Sequence, residues 1–393
     1  MNTLILDHLT LTASLVLVLL GILTPMLNPF FRFRKKQQYS QESLEEPAVQ
    51  PSVSLILTPY DDADKLEKNL PYFLQQNFSS HYQVVIVIEQ GDHQAEDIIN
   101  RTLNATDLSE SHAEVYVTCI PKTSRYVSKK KLAITLGIKA AKYDWVLVTE
   151  SSCRPASPQW LSLMARHCNG DNNLVIGYGR YDDSTPSFRR FERLHTSCYL
   201  MHEYTQGVAY RMNSYNLLMR KNEFMDQGGF LGNLHLVRGE YDFLVNKYAP
   251  KGTTAIETDE DAWLIEDQPS NKKWLNKHLY YMESRKFLER GAKHRLLFNV
   301  DQTAMHLTYL LLLASIIYAI LTHNWFLLGT SAGALLCNLA FRLILCRRVL
   351  NDFDEQISAV KALFYEMSLI WRNAGYMMRY RFADKYDFTT HKL

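Results

Sequence analysis

Trp145–Thr149 is a short apolar run rich in β-branched and aromatic residues, and it ends on a carboxylate, Glu150, followed by Ser151-Ser152-Cys153-Arg154-Pro155. The run reads as a buried strand. A carboxylate at the carboxyl end of such a strand stands where open α/β sheets place ligand chemistry, so Glu150 is the first candidate site residue. Ser157 and Pro158 then read as the N-cap and first position of a helix over Gln159–Cys168. A second group able to do chemistry is Lys129-Lys130-Lys131, which opens a helical pattern. Such a run is either a solvated basic face or a set of cations facing an anion. The six cysteines, at 119, 153, 168, 198, 337 and 346, show no C-x-x-C spacing. They read as reduced packing residues rather than a metal or disulfide framework.

The elements that must position these groups alternate. Val53–Leu57, Val84–Ile88, Val115–Cys119 and Trp145–Thr149 are strand-like, and between them Ala63–Gln76, Ala95–Leu103 and Lys129–Ala141 have helical spacing. That alternation predicts parallel strands with helices on both faces. After Pro158 the pattern loosens: strands are expected at Leu174–Tyr178 and Ser214–Met219, and helices at Phe188–Tyr204, Glu240–Tyr248 and Asn271–Leu288. The last is basic and aromatic, which suits a membrane surface or acidic phosphates. With 43 basic and 41 acidic residues the charge is nearly balanced, so nucleic acid is not an expected partner.

Leu9 to Phe31 is almost uninterruptedly apolar and is followed by Arg32, Arg34, Lys35 and Lys36. Its length suits a membrane span, and charges placed after the apolar core indicate a retained anchor rather than a cleaved signal. Ala304–Thr322 and Trp325–Cys346 read as a helical hairpin, with Arg347-Arg348 marking the same side and Arg342 expected to snorkel outward. The positive-inside rule then puts residue 32 onward in the cytoplasm. Phe353–Phe382 is amphipathic and is expected on the cytoplasmic leaflet. The expected organisation is an anchor at 1–36, a linker at 37–50, the α/β domain at 51–300, the hairpin at 301–348 and a cytoplasmic tail at 349–393.

Several landmarks, in order, resemble those of the family-2 glycosyltransferases, especially membrane-anchored bacterial ones with the GT-A fold. Ser54–Asp62 looks like that family's opening strand and its acidic end, and Val84–Ile88 with Glu89 like its second strand. Lys129–Ala133 is similar to its basic third helix. Val148–Pro155 falls where (T/L)-D-A-D-x-x-x-P stands, Asn216–Lys221 is similar to N-L-A-Y-R-K, and Gly239–Asp242 lies where G-E-D-D is usual. The resemblance implies a mixed sheet with helices on both faces, joined to transmembrane helices.

It also implies that Thr58, Asp61, Glu89, Lys129 and Lys130 hold a nucleotide-diphosphate sugar. Glu150 and Ser152 would hold Mg²⁺ or Mn²⁺, and Asp242 or Glu240 would serve as acceptor base. Three positions depart from the pattern. Glu150 and Ser152 replace two aspartates, a neutral hydroxyl being a poor ligand for a hard cation. Tyr241 stands where the base is expected, and an unperturbed phenol, with a pKa of about 10, is protonated at neutral pH. In the helix before the membrane, Trp274 is kept while Lys277 and His278 replace the usual glutamine and basic residue. Lys129, Lys130, Arg154, Lys277 and His278 are cations able to meet a diphosphate in place of a metal. The expected function is transfer of a sugar to a membrane lipid, lipid-linked glycan or polysaccharide acceptor, with inversion. The alternative is a catalytically silent scaffold serving a partner transferase or exporter in envelope polysaccharide assembly.

Overall fold

A computed structural model describes residues 7–32, 50–59, 63–107, 111–122, 126–168 and 170–389. In chain order come α1 (His8–Leu27), α2 (Pro29–Arg32), β1 (Val53–Thr58), α3 (Ala63–Leu74), β2 (Tyr82–Glu89), α4 (His93–Ala105), β3 (Ala113–Ile120), α5 (Lys129–Ala140) and β4 (Trp145–Glu150). There follow β5 (Cys153–Pro155), α6 (Trp160–Ala165), β6 (Leu174–Gly177), β7 (Gly179–Tyr181), α7 (Ser187–Thr205), β8 (Leu217–Arg220), α8 (Lys221–Asp226), α9 (Glu240–Tyr248), β9 (Thr254–Glu257) and β10 (Leu264–Glu266). The last are α10 (Asn271–Ser284), α11 (Ala292–Leu321), α12 (Trp325–Asp352), α13 (Ala359–Phe382) and α14 (Tyr386–Thr389). The chain forms two units. One holds Lys36–Gly291 and Gly375–Leu393, the other Met1–Lys35 and Ala292–Ala374.

The first unit is α/β. Its seven-stranded sheet runs β3-β2-β1-β4-β8-β6-β9. β3, β2, β1 and β4 are parallel, as their apolar runs predict, and β8 is antiparallel to both β4 and β6. The sheet is therefore mixed. β1 is buried at all six positions because helices cover both of its faces. Leu55 and Leu57 belong to one core with Leu66, Leu70 and Phe73 of α3. On the other side α5 comes close at Gly137, where an added Cβ would lie 2.4 Å from Ile56 Cγ2. That glycine lets α5 run tight against β1 and fixes where its lysines end up. A second, three-stranded sheet runs β5-β10-β7. Its strands are three residues each, too short for any periodicity in the sequence.

One local expectation needs correction. The helix expected over Gln159–Cys168 spans only Trp160–Ala165. Its N-cap is Gln159, with no side-chain capping bond, and Ser157 Oγ accepts from Gln159 N at 3.0 Å in the turn just before it. The aromatic side of α10 packs within the α/β unit. Trp274 lies under the Arg189 guanidinium at 4.7 Å, and His278 Nε2 pairs with Glu192 of α7 at 3.0 Å.

The second unit is helical. α1, α11 and α12 are each long and apolar enough to cross a membrane. Small and polar residues join α1 to α12: Asn338 Nδ2 donates to Gly21 O at 2.6 Å, and Ser14 meets Thr330 at 2.9 Å. Arg342 does not snorkel. It is 1% exposed and pairs with Glu366 of α13 at 2.8 Å, and Asn28 donates to the same carboxylate oxygen at 2.7 Å. A carboxylate supplied from within the unit offsets the charge of the buried guanidinium.

Candidate active site

The carboxyl ends of β1 and β4 lie level, with Thr58 paired to Glu150 in register. Beyond Glu150 the chain turns through Ser151 and Ser152 into β5. The turn is pinned from two sides. Asn69 Nδ2 donates to Ser151 O at 2.8 Å, and Asp267 N–H donates to Ser152 O at 2.8 Å. Both serines are buried, while the Glu150 side chain is 16% exposed. Thr58 is buried as well, and its Oγ1 makes no hydrogen bond among the described residues.

α5 starts beside these strand ends. Ser128 Oγ caps it by accepting from Lys131 N, and three lysines then fill its first turn. Cations at a helix N-terminus oppose the helix dipole, so this arrangement needs carboxylates or an anion nearby. Lys129 Nζ meets Glu89, the last residue of β2, at 3.1 Å. Lys130 Nζ is in contact with Glu150 Oε1 and lies 3.5 Å from Glu240 Oε1. Its ammonium also stands over the rings of Tyr215 and Tyr241, at 5.2 and 5.4 Å. Lys131 departs from any solvated-face reading. It is buried and donates to the carbonyls of Asn233 and Leu236 at 2.6 Å, with burial pushing its pKa down to about 8 against the pull of Glu240.

The third wall is the first turn of α9. Gly239 precedes it with φ 96°, and a Cβ there would lie 2.8 Å from Ser284 Cβ. From that point three side chains fan out. Glu240 faces Lys130 and, at 3.9 Å, Arg238. Burial works to raise its pKa, and those cations together with Lys131 hold it below the usual carboxylate value. Tyr241 is buried edge-on to Tyr215 at 5.0 Å, and burial with Glu150 and Glu240 pushes its phenol well above its ordinary value. It stays protonated and cannot be the base. Asp242 turns to the Arg211 side, where the Met212 N–H donates to it. Burial pushes its carboxyl up to about 6, against the pull of Arg211 and Lys277.

The structure thus brings Lys130, Glu150 and Glu240 into one cluster, with Lys129 and Glu89 as a neighbouring pair and Asp242 around the helix from Glu240. Asp61 lies outside the described residues. Lys277 also points here, over Tyr215 at 5.4 Å and Tyr181 at 5.8 Å. Arg154 is tied to Asp182 at 2.7 Å and Asp267 at 3.2 Å, and His278 is tied to Glu192. Tyr215, Arg211, Arg238 and Asp267 went unrecognised in the sequence. Only Tyr215 had a positional signal, since it directly precedes the Asn216–Lys221 segment.

The residues expected to hold Mg²⁺ or Mn²⁺ do not fit one. A hard dication needs charged oxygens open to it. Here one Glu150 oxygen carries an ammonium, and Ser152 offers a neutral hydroxyl in a pinned, buried turn. Among the described residues no group of three or more His, Cys, Asp or Glu side chains is arranged to hold a metal ion.

A family model described as glycosyl transferase family 21 matches residues 16–254. Among solved structures, the mannosyltransferase PcManGT from Pyrobaculum calidifontis, in complex with GDP-Man and Mn²⁺, aligns over 92% of this chain and 99% of its own. Its identity is 14% and its TM-score 0.52. S. aureus TarS 1-349 in complex with UDP-GlcNAc aligns over 84% of this chain and 91% of its own, at 12% identity and TM-score 0.40. The first likeness supports the fold and nothing finer. No curated protein sequence matches the chain.

Proposed function

The chain belongs to glycosyl transferase family 21, and from that premise we propose that it moves a sugar from a nucleotide-diphosphate donor to a lipid or lipid-linked acceptor at a membrane. The observation that carries this reading is the cluster of Lys130, Glu150 and Glu240, drawn from three elements to the carboxyl ends of the parallel strands. The donor lies across those ends near Thr58, Asp61 and Glu89, with its diphosphate toward Lys129 and Lys130. Asp242 takes the proton of the acceptor hydroxyl, whose oxygen attacks the anomeric carbon in line. The bond from that carbon to the diphosphate oxygen breaks, and the nucleoside diphosphate leaves with the electron pair, inverting the centre.

Asp242 is the better base of the two acids. Its pKa near 6 places it close to working pH, whereas Glu240 is held ionised by cations and is a weak acceptor. The three helices long enough to span a membrane support a membrane-bound acceptor, because confining enzyme and acceptor to one membrane lowers the entropic cost of their meeting. Arg32, Arg34, Lys35, Lys36, Arg347 and Arg348 support a cytoplasmic site.

The test uses the full chain in lipid nanodiscs, a panel of UDP-, GDP- and dTDP-sugars, and bacterial lipid extract as acceptor. Release of nucleoside diphosphate that requires acceptor is the expected result. Silence toward every donor would leave the scaffold reading in its place.

A further inference from the structure

We propose that the Lys130 ammonium stands where GT-A enzymes of the D-x-D type carry a divalent cation, so that this transferase meets its donor diphosphate without metal. The inference rests on the glycosyltransferase reading above and concerns the same site. A D-x-D site presents negative charge that a dication neutralises while bridging to the diphosphate. Here the neutralisation is already built in. Glu150 and Glu240 contribute two negative charges, and Lys130 and Arg238 contribute two positive ones within 3.9 Å of them.

The lysine is held in place rather than waving in solvent. Its side chain is 11% exposed, with the Glu150 and Glu240 carboxylates on it and the faces of Tyr215 and Tyr241 beside it. A dication entering at Glu150 would have to expel an ammonium from its partner and then sit against that same positive charge. An anionic diphosphate meets no such obstacle. An ammonium has three donors, so Lys130 can keep its carboxylates and still donate a hydrogen bond to a phosphate oxygen. Its place in the first turn of α5 adds backbone polarity of the same sign.

Binding of UDP, GDP and dTDP to the full chain in nanodiscs, followed by calorimetry in EDTA and in Mn²⁺, tests the proposal. At least one nucleotide is expected to bind with the same affinity, within about twofold, in both conditions. Lys130→Met should weaken that binding in EDTA by about tenfold or more, the worth of a charged hydrogen bond. Mn²⁺ should restore part of the loss, because Glu150 and Glu240 are then open to it. Lys130→Arg should keep EDTA-resistant binding and reports on the charge where Lys130→Met fails to fold, folding being followed by thermal unfolding.

Wild-type binding that collapses in EDTA overturns the inference while leaving the transferase reading intact. So does a folded Lys130→Met protein with unchanged affinity. Absence of binding by every nucleotide, with and without Mn²⁺, overturns both.

Discussion

In the helical unit Arg342 and Glu366 meet at 2.8 Å with side chains 1% and 2% exposed, whereas in the α/β unit Lys130, Glu150 and Glu240 gather with side chains 11%, 16% and 5% exposed. Both are cations buried against carboxylates, yet their surroundings differ. The first pair is closed in by Phe31 and Tyr309 and by Asn28, which donates to the carboxylate oxygen that Arg342 also contacts. The second is assembled from a strand end, the start of α5 and the start of α9, and water still reaches it. A sealed pair has nothing to exchange its charge with, so its effect is on folding. A pair that solvent still reaches can trade one partner for a ligand.

Variants should pull the two clusters apart. The largest expected effect is on turnover at the open end. Asp242→Asn should lower the rate of sugar transfer by about 10²- to 10⁴-fold in a chain that still folds, measured as initial rates on protein shown to be folded. A rate within a few-fold of wild type would move the base elsewhere.

Next in size is Arg342→Met, which strands a buried carboxylate and should destabilise the helical unit by about 3–5 kcal/mol in detergent unfolding. Arg342→Met with Glu366→Leu should recover most of that loss. Equal damage from the single and double variants would mean that the pair is not what holds these helices.

The pH profile follows. Burial raises the Asp242 pKa to about 6 from a carboxylate's ordinary value, and the base must be ionised to accept a proton. Turnover should therefore hold above pH 6 and fall about tenfold per unit below it. A profile flat down to pH 4.5 would rule out this carboxyl.

The smallest effect is expected from Lys129→Ala. Its pair with Glu89 is a third exposed on each side, so stability should change by less than about 1 kcal/mol. Any loss of nucleotide affinity should shrink in high salt.

Much of the fold was legible because β1, β2 and β4 are buried on both faces and must be continuous apolar runs. The three-residue strands β5, β7 and β10 were not, since so few residues carry no period. Arg342 was misread for a different reason. Its partner lies 24 residues further on in another helix, and nothing local announces a carboxylate.

In the site, Glu150 was marked by the end of its strand and Lys130 by the start of its helix. That Lys130 touches both acids depends on the close approach of α5 at Gly137 and on the turn before α9, which are matters of three-dimensional packing. Tyr215 and Arg211 carry little signal of their own. One tyrosine among 23 does not stand out until its ring is found beside an ammonium.

Gly239 sets the direction in which α9 begins. Successive side chains on a helix point about 100° apart, so the direction in which the chain leaves residue 239 selects which of Glu240, Tyr241 and Asp242 greets the lysine. Its left-handed backbone and the nearness of Ser284 leave no room for a methyl group without re-aiming all three. The cluster's chemistry is thus encoded partly in a residue with no side chain, and an inherited or engineered alanine there would leave every polar group present but misdirected.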